Sequence, residues 1–512
     1  MLFDISGHIF FVGDKVAPAY RDSWPVLRPL VAGLCVSQLV ATLLVYRSNR
    51  LHHYLFEKVH EAGYVTVPSP PIMDSLLSVF PAFHGAVLFT LSLGAGLSLF
   101  SMAAFWVWDR WLEQNRRCFF ALLVMWAGCF IAVNAKGIRP LVTLYFALVP
   151  AVVWFTLNRW KRRAQNLKRF RAGLYHILPI AFLAVVWMPQ MDRHLFVDIR
   201  DHILLSSAMG QKINDFYYRY TLYPAYVFKT FDQKIYNTCD LSLLEEGLAG
   251  ILRKRLAARD FLDIRDERAD LQIESAGKNL VFRCRGKTVF NCPIETFLND
   301  PADTLSIVSK SADSNRFFRW ATFISLVFGF PILIYLLVYQ SMCFILRTLS
   351  KRDKVQGIVS GTCFLMGLAT LIAFSHHRAT EVTEQNFEAV IASDRWQDRV
   401  AGLKFAIDRK TDIARFGTYS EMLNSHHIPE RYWLARALRF SRSSSATADL
   451  AALLNDPQPN VVCMALQSLG ARRDRRFVRV ILETIEQSKN WYVQWYGYKA
   501  MRKLGWVQKN SA

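Results

Sequence analysis

The sequence predicts an all-α polytopic membrane protein of about seven transmembrane helices, carrying a small α+β extracytoplasmic insertion and a C-terminal α-solenoid. Three observations carry that prediction. The 512-residue chain is 52% hydrophobic, with 37 Phe and 14 Trp, which is high for a water-soluble protein. Apolar segments stand at 30–45, 83–108, 118–135, 140–157, 173–188, 320–345 and 357–374, most of them near the roughly 17–25 residues a helix needs to cross the hydrocarbon. The region 380–506 turns polar, and Ala and Leu recur there at helical spacing.

The run NRWKRRAQNLKRFR at 158–171 orients the spans. Seven of its fourteen residues are Lys or Arg, and dense positive charge in a short connecting loop marks the cytoplasmic side. That assignment places 17 Lys/Arg in the N-terminus and inner loops, against 5 in the short outer loops at 47–80 and 136–139. The N-terminus is then cytoplasmic, and the regions 189–319 and 375–512 both fall on the outer face, the periplasm if the membrane is a bacterial inner membrane. The start, MLFDISGHIFF, lacks the charged region and cleavage site of a signal peptide, so insertion relies on the first span. Pro150, Pro179 and Pro331 are expected to kink their helices. The division is 1–188, a five-span membrane domain; 189–319, the insertion; 320–374, two further spans; and 375–512, the helical domain.

The insertion opens amphipathically with HLFVDIRDHILLSSA and continues into DFYYRYTLYPAYVF. Tyr217, Tyr218, Tyr220, Tyr223 and Tyr226 beside Arg219 suit a segment at the headgroup layer, where a ring buries its apolar body and keeps a wet hydroxyl. A helix is predicted over 241–259, then strands near 271–274, 280–284 and 288–292 joined by hairpin turns at 276–279 and 285–287. A turn centred on Gly286 sets Cys284 opposite Thr288, so a disulfide is expected to join Cys239 to Cys284 or Cys292.

In the last region, DPQPNVVCMALQSLG (456–470) aligns with WYVQWYGYKAMRKLG (491–505) at an offset of 32, setting Val461 on Val493 and Ala465 on Gly497. PERYWLARALRFS (429–441) fits one period earlier at an offset of 30, and a fainter copy lies at 399–409. The tract 380–506 resembles HEAT-like repeats of the short bacterial type, with a small-residue helix after an Asp-Pro turn and a second helix such as DRRFVRVILETIEQS. Trp491, Tyr492, Trp495, Tyr496 and Tyr498 depart from that pattern, where small or charged residues are usual. The resemblance implies stacked helix pairs and, by analogy, binding of protein partners. Trp491, Tyr492, Trp495 and Tyr496, with the basic cluster Arg472, Arg473 and Arg476, are the candidate partner-binding residues.

The net charge of +21 sits largely at span ends and in the C-terminal domain, which favours anionic lipid and acidic partners and argues against nucleic acid. No Asp, Glu, Lys or Arg falls inside the seven apolar cores, which lowers an ion-coupled transporter reading. Gly-x-Ser-x-Gly, His-Glu-x-x-His and C-x-x-C motifs are absent, and Gly286-Lys287-Thr288 lacks the first glycine of a phosphate-binding loop. Histidines gather on the outer side. On a regular helix His194, Asp198, Asp201 and His202 would share one face, and with His376 and His377 they are the candidate ligands for a divalent metal or haem. The leading expectation is a non-enzymatic membrane scaffold or assembly factor that binds an extracytoplasmic protein. A cofactor-handling membrane enzyme stands second, and a transporter of a neutral or lipidic substrate third.

Overall fold

The computed structural model describes residues 19–163, 171–188, 195–349, 355–376 and 381–508. Its first element, α1 (Ala19–Glu61), is 43 residues long. At 1.5 Å per residue it measures about 65 Å, twice the roughly 30 Å hydrocarbon thickness. Only its first half has a span's composition. In 46–61 the apolar residues recur at helical spacing, and Leu55, Phe56 and Val59 are buried. The sequence reading ended this helix at 45; the amphipathic continuation instead stands as a post beyond the apolar layer.

A short α2 (Pro70–Ser75) follows, then α3 (Val79–Phe89), a π-helical turn at Thr90–Gly94, α4 (Ala95–Arg110), α5 (Arg116–Asn134), α6 (Pro140–Arg163) and α7 (Arg171–Trp187). Past the insertion come α14 (Arg316–Ile324), a second π-helical turn at Ser325–Gly329, α15 (Phe330–Leu349) and α16 (Val355–His376). Among the described residues six stretches are long and apolar enough to cross a membrane: Leu27–Glu61, Val79–Arg110, Arg116–Asn134, Pro140–Arg159, Arg316–Leu346 and Val355–Ile372. The remaining expected span coincides with α7, whose 17 residues sit at the lower limit of length. Several apolar helices are thus compatible with a membrane protein.

Close approach and hydroxyl bonding hold these helices together. The two π-helical turns pack on each other, and a Cβ on Gly329 would stand 2.9 Å from Gly96 Cα, so a larger residue there forces the helices apart. The hydroxyl of Tyr145 donates to Phe89 C=O at 3.1 Å and accepts from Ser37. Gln38 donates to Phe83 C=O at 2.8 Å and accepts from Thr90 at 2.7 Å, so the widened turn at Thr90–Gly94 sits in satisfied polar surroundings. Pro150 and Pro179 lie inside α6 and α7, whereas Pro331 is the second residue of α15, just past the second widened turn.

The insertion comprises α8 (Leu195–Ile199), a π-helical turn at Arg200–Leu204, α9 (Ala208–Tyr220), α10 (Leu222–Ala225) and an α+β module. The module runs β1 (Asn237–Asp240), α11 (Glu246–Ala257), β2 (Phe261–Asp263), β3 (Leu271–Ala276), β4 (Asn279–Cys284), β5 (Lys287–Pro293), α12 (Ile294–Asn299) and α13 (Pro301–Ala312). Its five strands are ordered β2-β1-β3-β4-β5, with β1 parallel to both neighbours and β3, β4 and β5 an antiparallel meander. The meander follows the three expected strands. β1 and β2 were not expected, because both are buried along their whole length and show no alternation.

Arg285 and Gly286 both take positive φ, 52° and 73°, which closes a two-residue turn. Cys284 therefore pairs with Lys287 rather than Thr288, and a bulge at Phe282/Arg283 restores register so that Leu280 faces Cys292. All nine cysteines are free thiols, which corrects the expected disulfide. Cys239 on β1 is separated from β4 by β3, a gap of about 10 Å that exceeds disulfide reach. Burial pushes the Cys284 thiol up to about 12 and Cys239 well above its ordinary value.

The C-terminal region is helical throughout: α17 (Phe387–Ile391), α18 (Trp396–Arg409), α19 (Tyr419–Leu423), α20 (Ile428–Ala437), α21 (Ser444–Ala452), α22 (Pro459–Ala471), α23 (Phe477–Gln487) and α24 (Trp491–Lys503). Helices α18, α20, α22 and α24 start 32, 31 and 32 residues apart and pack in succession. The offset of 32 thus coincides with a helix-to-helix step; the offset of 30 becomes 31, and the faint copy at 399–409 lies in α18. In α18, α20 and α24 the fourth residue ties neighbouring turns. Arg399 grips Glu430 and donates to Ser393 C=O at 2.7 Å, Arg431 grips Asp456 at 2.6 and 3.2 Å, and Gln494 donates to Ile485 and Ser488 carbonyls at 3.1 and 2.7 Å.

Candidate functional site

The helical array folds back onto the post and the α+β module. Gln508 exchanges two hydrogen bonds with the Val65 backbone at 2.8 and 3.0 Å, and Ser69 N–H donates to Gln494 at 2.8 Å. Asp260, in the turn before β2, receives the Tyr498 hydroxyl at 2.7 Å and is ion-paired with Arg502, whose Nε stands 2.8 Å away. Tyr54 on the post donates to Asp266. The insertion and the C-terminal region therefore share one end of the helix bundle, and α1 joins them.

The predicted His/Asp ligands lie along this junction. Asp201 is fully buried and receives Trp433 Nε1 at 2.8 Å, Arg200 at 2.6 Å and Lys404 at 3.3 Å. Asp198 also meets Lys404 at 3.3 Å, and the His202 ring lies 5.4 Å from that of Trp396. These three side chains are spent on α18 and α20 of the array. Their expected common face assumed 3.6 residues per turn, and the π-helical turn at Arg200–Leu204 breaks that period. His194 and His377 lie outside the described residues; His376 is the last residue of α16. Among the described residues no three His, Cys, Asp or Glu side chains group as a metal site.

The aromatic residues expected to meet a partner meet the chain itself. Trp491 is buried with its ring 4.9 Å from Tyr223, 5.4 Å from Tyr226 and 6.1 Å from His52. Tyr492 lies 4.6 Å from Tyr218 and hydrogen-bonds Thr221 at 3.2 Å, while Trp495 packs on Tyr496 at 5.5 Å. Arg472 donates to Leu438 and Ser443 carbonyls at 3.0 and 3.2 Å, Arg473 is exposed with φ 59°, and Arg476 pairs with Asp474 at 2.7 Å. The basic cluster is therefore split between a structural tie and open surface.

Lys229 at this seam was not anticipated. Its ammonium is shielded from water with no hydrogen-bond acceptor among the described residues, 4.3 Å over the Tyr226 ring and 5.2 Å over Trp495. Burial, helped by the positive charges of Lys499 and Lys234, pulls its pKa down to about 7. Only its place amid the aromatic run could have hinted at this.

Beside the seam an open cleft of about 560 Å³ lies between α2, α9 and the loops that enter α22 and α24. Arg219 and Lys489 are exposed in its lining, and neither has a carboxylate partner among the described residues. Its acidic member, Asp456, is engaged by Arg431 and caps Gln458 N–H at 2.8 Å. The cleft thus offers hydrogen-bonding groups within a positive field, suited to a polar segment bearing negative charge. No known protein family, curated protein or solved structure matches the chain.

Proposed function

We propose that this chain is a non-enzymatic scaffold or assembly factor of the bacterial inner membrane that holds a protein partner on its outer face. The excess of Lys/Arg in the loops around 158–171 supports a cytoplasmic N-terminus with both outer modules in the periplasm. The recurrence of helices every 31–32 residues supports the HEAT-like reading of the C-terminal region, whose analogues bind proteins along stacked helix pairs. With the aromatic rings committed internally, the binding surface moves to the cleft. Its open, basic lining is the observation that carries the proposal.

The test is the double substitution Arg219→Glu/Lys489→Glu in the full chain, with a photo-crosslinking residue at Gln487 in the cleft. Partner adduct should fall about tenfold, equivalent to about 1.4 kcal/mol, while the seam stays intact. Undiminished adduct at unchanged expression would refute the cleft as the partner site.

A further inference from the structure

Helix α9 presents three faces. Gly210, Asn214 and Tyr218, at i, i+4 and i+8, form the inward face: Gly210 packs on Ile203 and Leu204 of the preceding π-helical turn, while Asn214 donates to Asn460 at 3.1 Å and Tyr218 lies against Tyr492 in the array. Lys212, Asp215 and Arg219 form an exposed charged flank. Met209, Ile213, Phe216 and Tyr217, at i, i+4, i+7 and i+8, form the third, and they are 76%, 51%, 37% and 47% exposed.

Two positional facts select the occupant of that third face. The stretch α8–α9 follows the apolar helix α7 in the chain, and α9 packs against the start of the apolar helix α3. Its apolar face also continues into α3: the His84 ring lies 4.9 Å from Tyr220 and 6.1 Å from Phe216, beside the exposed Phe80 and Phe83 of the candidate span Val79–Arg110.

We infer that the Met209–Ile213–Phe216–Tyr217 face of α9 binds the outer lipid surface, seated at the boundary between headgroups and acyl chains. The charged flank then remains among headgroups while the opposite side carries the array, so the lipid sets the height of the array above the membrane. The expectation of an interfacial aromatic run thereby changes membership. Tyr218 and Tyr223 turn to the array, while Phe216 and Tyr217 of the run join Met209 and Ile213 before it in the lipid contact.

A photo-crosslinking residue at Met209 or Ile213 of the full chain, reconstituted in phosphatidylethanolamine/phosphatidylglycerol nanodiscs, tests this. Phe100, exposed on α4, is the control for the membrane reading, and Lys489 is the control for the cleft. Lipid adducts at Met209, Ile213 and Phe100, lost at Lys489, are expected. Lipid adduct at Phe100 alone, or a protein adduct to a second copy at Met209 or Ile213, would overturn the inference while leaving the spans in place. Loss of the adduct at Phe100 as well would overturn the membrane reading on which it rests.

Discussion

The two halves of α1 are packed by different chemistry. Within the apolar layer Ser37 and Gln38 meet Tyr145, Thr90 and a backbone carbonyl through uncharged hydrogen bonds, and glycines let the neighbouring helices approach. Beyond that layer the post is gripped by Asp266, by aromatic rings and by an array whose own joint to α8 rests on the buried charge of Asp201. Lipid offers no hydrophobic gain to helices already in apolar surroundings, so shape and hydroxyls decide there. Water makes ring burial favourable and lets an ion pair form where compensating hydrogen bonds exist.

The comparison sharpens into unequal sensitivities. The largest effect is expected at the outer joint. Asp201→Asn removes the fully buried charge that Arg200 and Lys404 share, leaving Arg200 without its carboxylate while Lys404 keeps Asp198, at about 3 kcal/mol. Thermal unfolding in detergent should drop accordingly, and a loss below 1 kcal/mol would mean that water already reaches the joint. Gly329→Ala forces a methyl against Gly96 and should cost about 1–3 kcal/mol, with the loss relieved if Gly96 could retreat. Tyr145→Phe deletes two uncharged bonds inside the bundle, one to Phe89 C=O and one from Ser37, and should cost roughly 1.2 kcal/mol at about 0.6 kcal/mol each.

Lys229 gives the comparison a pH axis. Its pKa is about 7 in the folded chain and ordinarily 10.5, so between those values the unfolded chain binds the extra proton. Stability should therefore rise with pH from about 7 towards 10.5, by at most about 1.4 kcal/mol per pH unit, and stay flat below 7 as far as this group is concerned. Lys229→Met should be more stable at pH 7 and should lose that part of the slope. Parallel melting curves for the two proteins from pH 7 to 9 would contradict the assignment.

How much was legible in the sequence depended on whether the signal was local. Apolar runs announced the spans, and alternation announced β3, β4 and β5, because each pattern reports one element's own surroundings. β1 and β2 were hidden by complete burial, and the upper half of α1 by its polar composition, since only the later modules cover it. The histidines and aspartates were read as an open ligand set because spacing alone does not reveal a π-helical turn or the arrival of Trp433 and Lys404 from more than two hundred residues away. Trp491 and Tyr492 likewise reveal that they need cover but not whose, and here the cover is the chain's own.

The α+β module and the array stand together at one end of the helix bundle, opposite the loop between α4 and α5. Epitope tags inserted at the Gly277 turn, after Ala512, or at Gln114 would be probed with antibody on spheroplasts before and after permeabilisation. The account predicts that the Gly277 and Ala512 tags are reached without permeabilisation and the Gln114 tag only after it. Opposite accessibility of the first two tags, or shared accessibility of all three, would contradict it.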